Sequence, residues 1–186
     1  MTTWWLLLAL VVALAVGLWL IWTANRLDRM HHRIDVARGT LDAQLLRRSG
    51  ATLELASSEA LDPSSRLVLL DAAHQARNAG PDEFETAESA LSQALRAVFA
   101  DPDDVRLLQE DVAVAPLVEE LSQDCARVEL ARRFHNDVVV SARALRSRRR
   151  VRWLHLAGRA AVLRTVDLDD VPPVGLTGWG SRSPGS

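Results

Sequence analysis

The feature that most limits what this chain can become lies at its start. Residues 4–22 read WWLLLALVVALAVGLWLIW, without a charged side chain. Nineteen residues of helix span about 28 Å, close to the hydrocarbon thickness of a bilayer. Trp4, Trp5, Trp19 and Trp22 stand near the two ends, where rings with a polar edge prefer the headgroup level. A cleaved signal peptide is the competing reading. Against it, no Lys or Arg precedes the run, the run is long, and Trp22 is too bulky for a small-residue cleavage site. The sequence therefore predicts a transmembrane anchor over residues 1–24. Arg26, Arg29 and Arg33 follow the run. The positive-inside rule then sets the N-terminus outside and the rest of the chain in the cytoplasm, at a cell membrane crossed once.

The remainder reads as helix throughout. Apolar residues leave the anchor at helical spacing (Leu27, Met30, Ile34, Ala37, Leu41, Leu45), and the pattern runs to about residue 60 with only Gly39 and Gly50 as weak points. Asp62-Pro63 is a cap followed by a first-turn proline and opens a second helix. Gly80-Pro81-Asp82 separates it from a third, which carries Phe84, Leu91 and Leu95. Asp101-Pro102 breaks the chain again, leaving a short helical turn over residues 105–110. A last long helix begins near Pro116 and passes through Leu121, Cys125, Val128 and Ala131 to Leu145. The first and last helices are each about 52 Å beyond the membrane, and the middle two about half that. The simplest packing is an antiparallel all-α bundle of about four helices over residues 25–160, with the short hairpin covering the end far from the anchor. Residues 161–186, rich in Pro, Gly and Ser, are expected to be a disordered tail. Trp179 within them could be a short docking motif or nothing at all.

Charge is sorted along this layout. Residues 54–129 hold 17 acidic side chains against five Arg, whereas residues 130–166 hold ten Arg against one Asp. The bundle is expected to be acidic at its far end and basic near the membrane. The densest basic stretch is Arg143, Arg146, Arg148, Arg149, Arg150 and Arg152, followed by Trp153. One reading lays it on anionic lipid headgroups, each Arg contributing on the order of 1 kcal/mol. The other leaves the arginines solvated at a helix C-terminus, where they suit the dipole. Nucleic acid is not expected as a partner, since no aromatic platform accompanies the charge.

Two stretches resemble the LemA family. Asn25-Arg26-Leu27, Ile34, Ala37 and the run from Leu41 through Gln44 to Arg47-Arg48 are similar to the opening of that family's domain. Ala131-Arg132-Arg133-Phe134-His135-Asn136-Asp137 is similar to its later Ala-Arg-x-x-Tyr-Asn-Asp motif. The chain departs from the pattern at Arg38, at Ser49-Gly50-Ala51-Thr52, at His135 and at Ala142-Arg143, as a divergent member would. The resemblance implies a bacterial, membrane-anchored helical bundle with its N-terminus outside and no established enzymatic activity or cofactor. It singles out Asn25, Gln44, Arg47, Arg48, Asn136 and Asp137 as a polar patch. The patch could receive a partner, or it could hold the helices together through an Asp137 pair with Arg47 or Arg48 and a Gln44–Asn136 contact. The structural role is the stronger expectation.

Enzymatic chemistry finds no foothold in the residues. Asp28-x-x-His31 and Asp71-x-x-His74 only approximate the Glu-x-x-His pairs of di-metal bundles, and helix rise sets the two histidines roughly 26 Å apart. There is no phosphate-binding glycine loop, nucleophile elbow or Cys-x-x-Cys. The single cysteine, Cys125, lies on an apolar face beside Asp124 and Glu129, the wrong setting for a reactive thiol. The expectation is a protein that is not an enzyme, binds no cofactor or metal, and works through a protein partner or self-association.

Overall fold

A computed structural model describes the backbone of residues 2–146 and 164–177; among these, the side chains of residues 2–3, 20, 23–31 and 145–146 lie outside the description. The Arg-rich stretch beyond residue 146 and Trp179 therefore also lie outside it.

Every described element is helical, so the all-α expectation holds. Helix α1 spans Thr2–Ser57, 56 residues, and runs without a break from the apolar N-terminal stretch into the bundle. At about 84 Å it is far longer than an ordinary globular helix. Gly39 and Gly50 sit inside it without ending it. Helix α2 (Pro63–Asn78) starts where Asp62 accepts the Ser64 and Ser65 amides at 2.9 and 3.1 Å, with Pro63 in the first turn. Helix α3 (Phe84–Val98) follows the Gly80-Pro81 break. Helix α4 (Pro102–Glu110) is longer than the single turn expected, because Asp101 caps the Asp103 amide at 2.8 Å and Pro102 supplies the first turn. Helix α5 (Ala115–Arg146) returns along α1, and a short 3-10 turn covers Val174–Leu176.

The long helices α1 and α5 pack side by side. Helix α2 lies on α1, α3 on α2, and α4 on α5. The far end of the bundle holds the larger core. Leu55 and Ala56 of α1, Leu69 and Ala73 of α2, Leu91, Leu95 and Phe99 from α3 and its end, Val105 of α4 and Val118 and Leu121 of α5 meet there. Nearer the N-terminal stretch, Leu41 and Leu45 pack against Val128 and Ala131, with Phe84 at the start of α3 alongside. Val166 and Leu168, from the chain past the basic stretch, close this cluster.

This corrects the tail. Residues 164–177, assigned from composition to a disordered tail, form a strap laid against the bundle, with Val166, Leu168, Asp170 and Leu176 buried. Proline and glycine there suit an extended, close-fitting chain as well as a disordered one, and composition does not separate the two.

The apolar N-terminal part of α1 belongs to neither buried core cluster of the described residues. Trp4, Leu6, Leu10, Leu14, Leu18 and Ile21 are all exposed, Trp4 at 75% and Leu18 at 66%. Among the described residues no helix is long and apolar enough to cross a membrane.

Candidate interaction site

The residues singled out as one polar patch separate in the structure. Arg48 falls on the buried stripe of α1 (Leu41, Leu45, Arg48, Thr52, Leu55), and its side chain is 2% exposed. It crosses to α3, not to α5. Its Nη2 donates to Glu88 Oε2 at 2.6 Å and to the Glu88 carbonyl at 3.2 Å, and its Nη1 donates to Ser92 Oγ at 2.8 Å. Its Nε has no hydrogen-bond partner among the described residues. Burial pushes the Glu88 carboxyl above its usual range, and the Arg48 charge offsets this only in part. The expected pair between Asp137 and Arg47 or Arg48 is thus not formed. Asp137 and Arg47 point to solvent. The heptad-like spacing that buries Leu41 and Leu45 also carries Arg48 inward, toward whichever helix lies in front of it.

Asn136 does not meet Gln44 either. Its Nδ2 donates to the Val166 carbonyl and its Oδ1 accepts the Val166 amide, both at 2.9 Å. Gln44 is half-buried, with Oε1 unpartnered among the described residues. The side chain of Asn25 lies outside the description, as does all of the basic cluster from Arg146 to Trp153 except the Arg146 backbone; Arg143 is exposed on α5.

What the structure does assemble is the seat of the strap, in a groove between α3 and α5. Asn136 fixes Val166 at one end. Ser89 Oγ accepts the Asp169 amide at 3.0 Å. Arg96 of α3 grips the Asp169 carboxylate with both terminal nitrogens, Nη1 to Oδ1 at 2.9 Å, and also donates to the Val171 carbonyl at 3.1 Å. Arg132 of α5 grips the adjacent Asp170 in the same two-pronged way, at 2.5 and 2.9 Å. Further along, the Gly175 amide donates to the Phe99 carbonyl at 3.1 Å, and Ser122 Oγ donates to the Leu176 carbonyl at 2.7 Å. Gly175 is required for this approach. A Cβ there would meet Phe99 O and Val105 Cγ2 at 2.7 Å.

The Arg96 contact holds the Asp169 carboxyl below its usual range. His135, one turn from Arg132, is buried, and neither ring nitrogen has a hydrogen-bond partner of good geometry. Burial pulls its pKa below 6.5, more than the nearby Arg164 backbone restores. Cys125 is buried in the core and pushed up to about 11, which keeps it a thiol, as the sequence suggested. A cleft of about 410 Å³ opens beside the α2–α3 turn. There Arg38 pairs with Asp42 at 3.0 Å and lies over the Phe84 ring at 4.9 Å. Among the described residues no group of three or more His, Cys, Asp or Glu is placed to hold a metal. His74 is exposed, and Asp71 accepts from Gln75.

The chain matches no protein-family model, no curated protein and no solved structure.

Sequence reading missed Glu88, Arg96, Arg132, Asp169 and Asp170 as one system. Two signals were available. Glu88 and Ser92 share a helix face with Leu91 and Leu95, where a charge must find a partner. Val166-x-Leu168-x-Asp170 alternates with the period of an extended segment that has one face buried.

Proposed function

We propose that this chain is a non-enzymatic, single-pass membrane protein that presents a helical bundle at the cytoplasmic face as a scaffold or protein-interaction module, as a divergent member of the LemA family would. The observation that carries the reading is the row of exposed apolar side chains from Trp4 to Leu18 on α1. A helix that turns Trp4, Leu6, Leu10, Leu14 and Leu18 outward is stable only where lipid, or another apolar surface, replaces water. At 25 cal/mol per Å², a run of exposed Leu, Val and Trp in water costs tens of kcal/mol, roughly, more than any single domain's stability. The single continuous helix couples that segment to the bundle without a linker, so the bundle would stand directly above the bilayer.

The interaction role is supported by the groove, which recognises an extended chain through side chains and not through helix packing alone. A second reading gives the Arg-rich stretch to anionic lipid. It draws on the charge separation along the chain, since residues 130–166 hold ten Arg against one Asp.

Membrane insertion is tested by carbonate extraction of membranes from cells making the full chain. Orientation is tested with an impermeant maleimide in intact cells. Thr3→Cys should label and Glu54→Cys should not, with Cys125→Ser removing background. Release of the chain by carbonate, or labelling at position 54 alone, would overturn the reading.

A further inference from the structure

We propose that the α3–α5 groove is a peptide-binding site in its own right, and that its partner is the strap of a second copy of this chain, exchanged reciprocally between two molecules. The strap is held as a bound peptide is held. Four of its main-chain positions, at residues 166, 169, 171 and 176, are bonded by side chains of the bundle: Asn136, Ser89, Arg96 and Ser122. Alternate side chains, Val166 and Leu168, enter the apolar floor made by Leu41, Leu45, Val128 and Ala131. Such a combination of main-chain bonds and alternating pockets is how proteins read extended segments.

Specificity comes from charge and from one missing side chain. Arg96 and Arg132 receive two adjacent carboxylates, Asp169 and Asp170, each by a paired contact that a single acidic residue could not duplicate. Gly175 must pass where a Cβ would collide with Phe99 O and Val105. The segment of any second copy satisfies all of these demands, and reciprocal exchange closes on itself as a two-fold dimer.

The covalent connection permits exchange. Residues 147–163 join α5 to the strap, 17 residues that reach about 56 Å when extended. The end of α5 is ten residues, about 15 Å, past Asn136. Within one molecule the local concentration of the strap is high, so exchange is favoured where copies are crowded. Crowding of copies at one membrane face rests on the function proposed above, whereas the groove's ability to take a strap in trans does not.

The test uses the full chain in detergent and two complementary variants. One carries Arg96→Glu and Arg132→Glu, with an intact strap and a broken groove. The other carries Asp169→Arg and Asp170→Arg, with an intact groove and a broken strap. Neither can close on itself, and only a mixed pair can seat an acidic strap. The expected result is a one-to-one dimer on mixing, seen by light scattering, and no dimer from either variant alone. A synthetic peptide of residues 164–177 should bind the broken-strap variant and raise its melting temperature by on the order of 5–10 °C at a hundredfold excess over Kd. Absence of both effects, with helical circular dichroism retained, would overturn the proposal.

A milder pair covers the case in which charge reversal unfolds the chain. Ser89→Cys and Asp169→Cys are placed on separate copies lacking Cys125, mixed and oxidised. An excess of the crossed disulfide over the two self-pairs supports exchange, and a statistical mixture refutes it. Carbonate extraction is indifferent to all of these variants, so failure here leaves the membrane reading standing, and the reverse also holds.

Discussion

Removing the Glu88 carboxylate should destabilise the bundle more than any other single change at a polar residue. Arg48 and Glu88 are 2% and 4% exposed, and their contact is 2.6 Å. In Glu88→Ala the guanidinium stays charged, since arginine does not give up its proton inside a protein. Of its present acceptors only the residue-88 carbonyl and Ser92 Oγ would be left, both neutral, with Nε already unpartnered. Breaking a buried pair from one side costs about 3–5 kcal/mol. For a bundle of this size that corresponds to a fall in Tm of roughly 10–20 °C. The second arm replaces both charges, Arg48→Met with Glu88→Leu, which fills similar volume with apolar atoms. That variant should lie within about 1–2 kcal/mol of the original protein or above it, because it removes the desolvation penalty along with the attraction. Thermal and urea unfolding of the full chain in detergent, followed by far-ultraviolet circular dichroism, measure both arms and their coupling. A Glu88→Ala protein within about 1 kcal/mol of the original would refute the argument, since a buried charge without a counter-charge cannot be that cheap.

Three further outcomes follow from the groove and the core. Asp169 titrates lower in the folded state, so its grip on Arg96 is fully present above the ordinary aspartate value of 3.8 and is lost as pH falls through the depressed value. The Asn136 side-chain amide, read by NMR, should therefore shift toward its free position in strong acid, and Asp169→Asn should already shift it partly at neutral pH. Gly175→Val should lift the C-terminal half of the strap at a cost of about 1–3 kcal/mol; hydrogen exchange should rise at residues 175–177 while α1 and α5 keep their protection, and unchanged exchange would refute the close approach. Cys125, with its thiol raised to about 11, should ignore a thiol reagent at pH 8 until urea unfolds the chain; rapid labelling of folded protein would show the core there to be open.

The helices were legible in the sequence because their signals are local. Asp62-Pro63 and Asp101-Pro102 cap and start helices through their own side chains and fixed φ, whatever surrounds them. The apolar stripes of α1 and α5 predicted which faces pack, and Leu41, Leu45, Val128 and Ala131 do pack. The polar contacts were less legible. Arg48 and Asp137 were expected to pair because both stand in stretches resembling one family, but a charge on a helix pairs with whatever the neighbouring helix sets in front of it. That neighbour is α3, and the partner is Glu88.

The tail marks the same division. Pro, Gly and acidic residues state only that a segment will not form a helix; they do not state whether an outside groove will order it. Residues 164–177 are ordered by Asn136, Arg96, Arg132 and Ser122, which lie between 30 and 75 positions away in sequence. By itself the sequence determined the all-helical class, the helix starts, the buried stripes and the inert cysteine, since propensity, capping and periodicity act within a few residues. Only the tertiary structure decided that Arg48 faces Glu88 and that the strap closes the core around Leu41 and Leu45. Those outcomes depend on long-range juxtaposition, which no local pattern encodes.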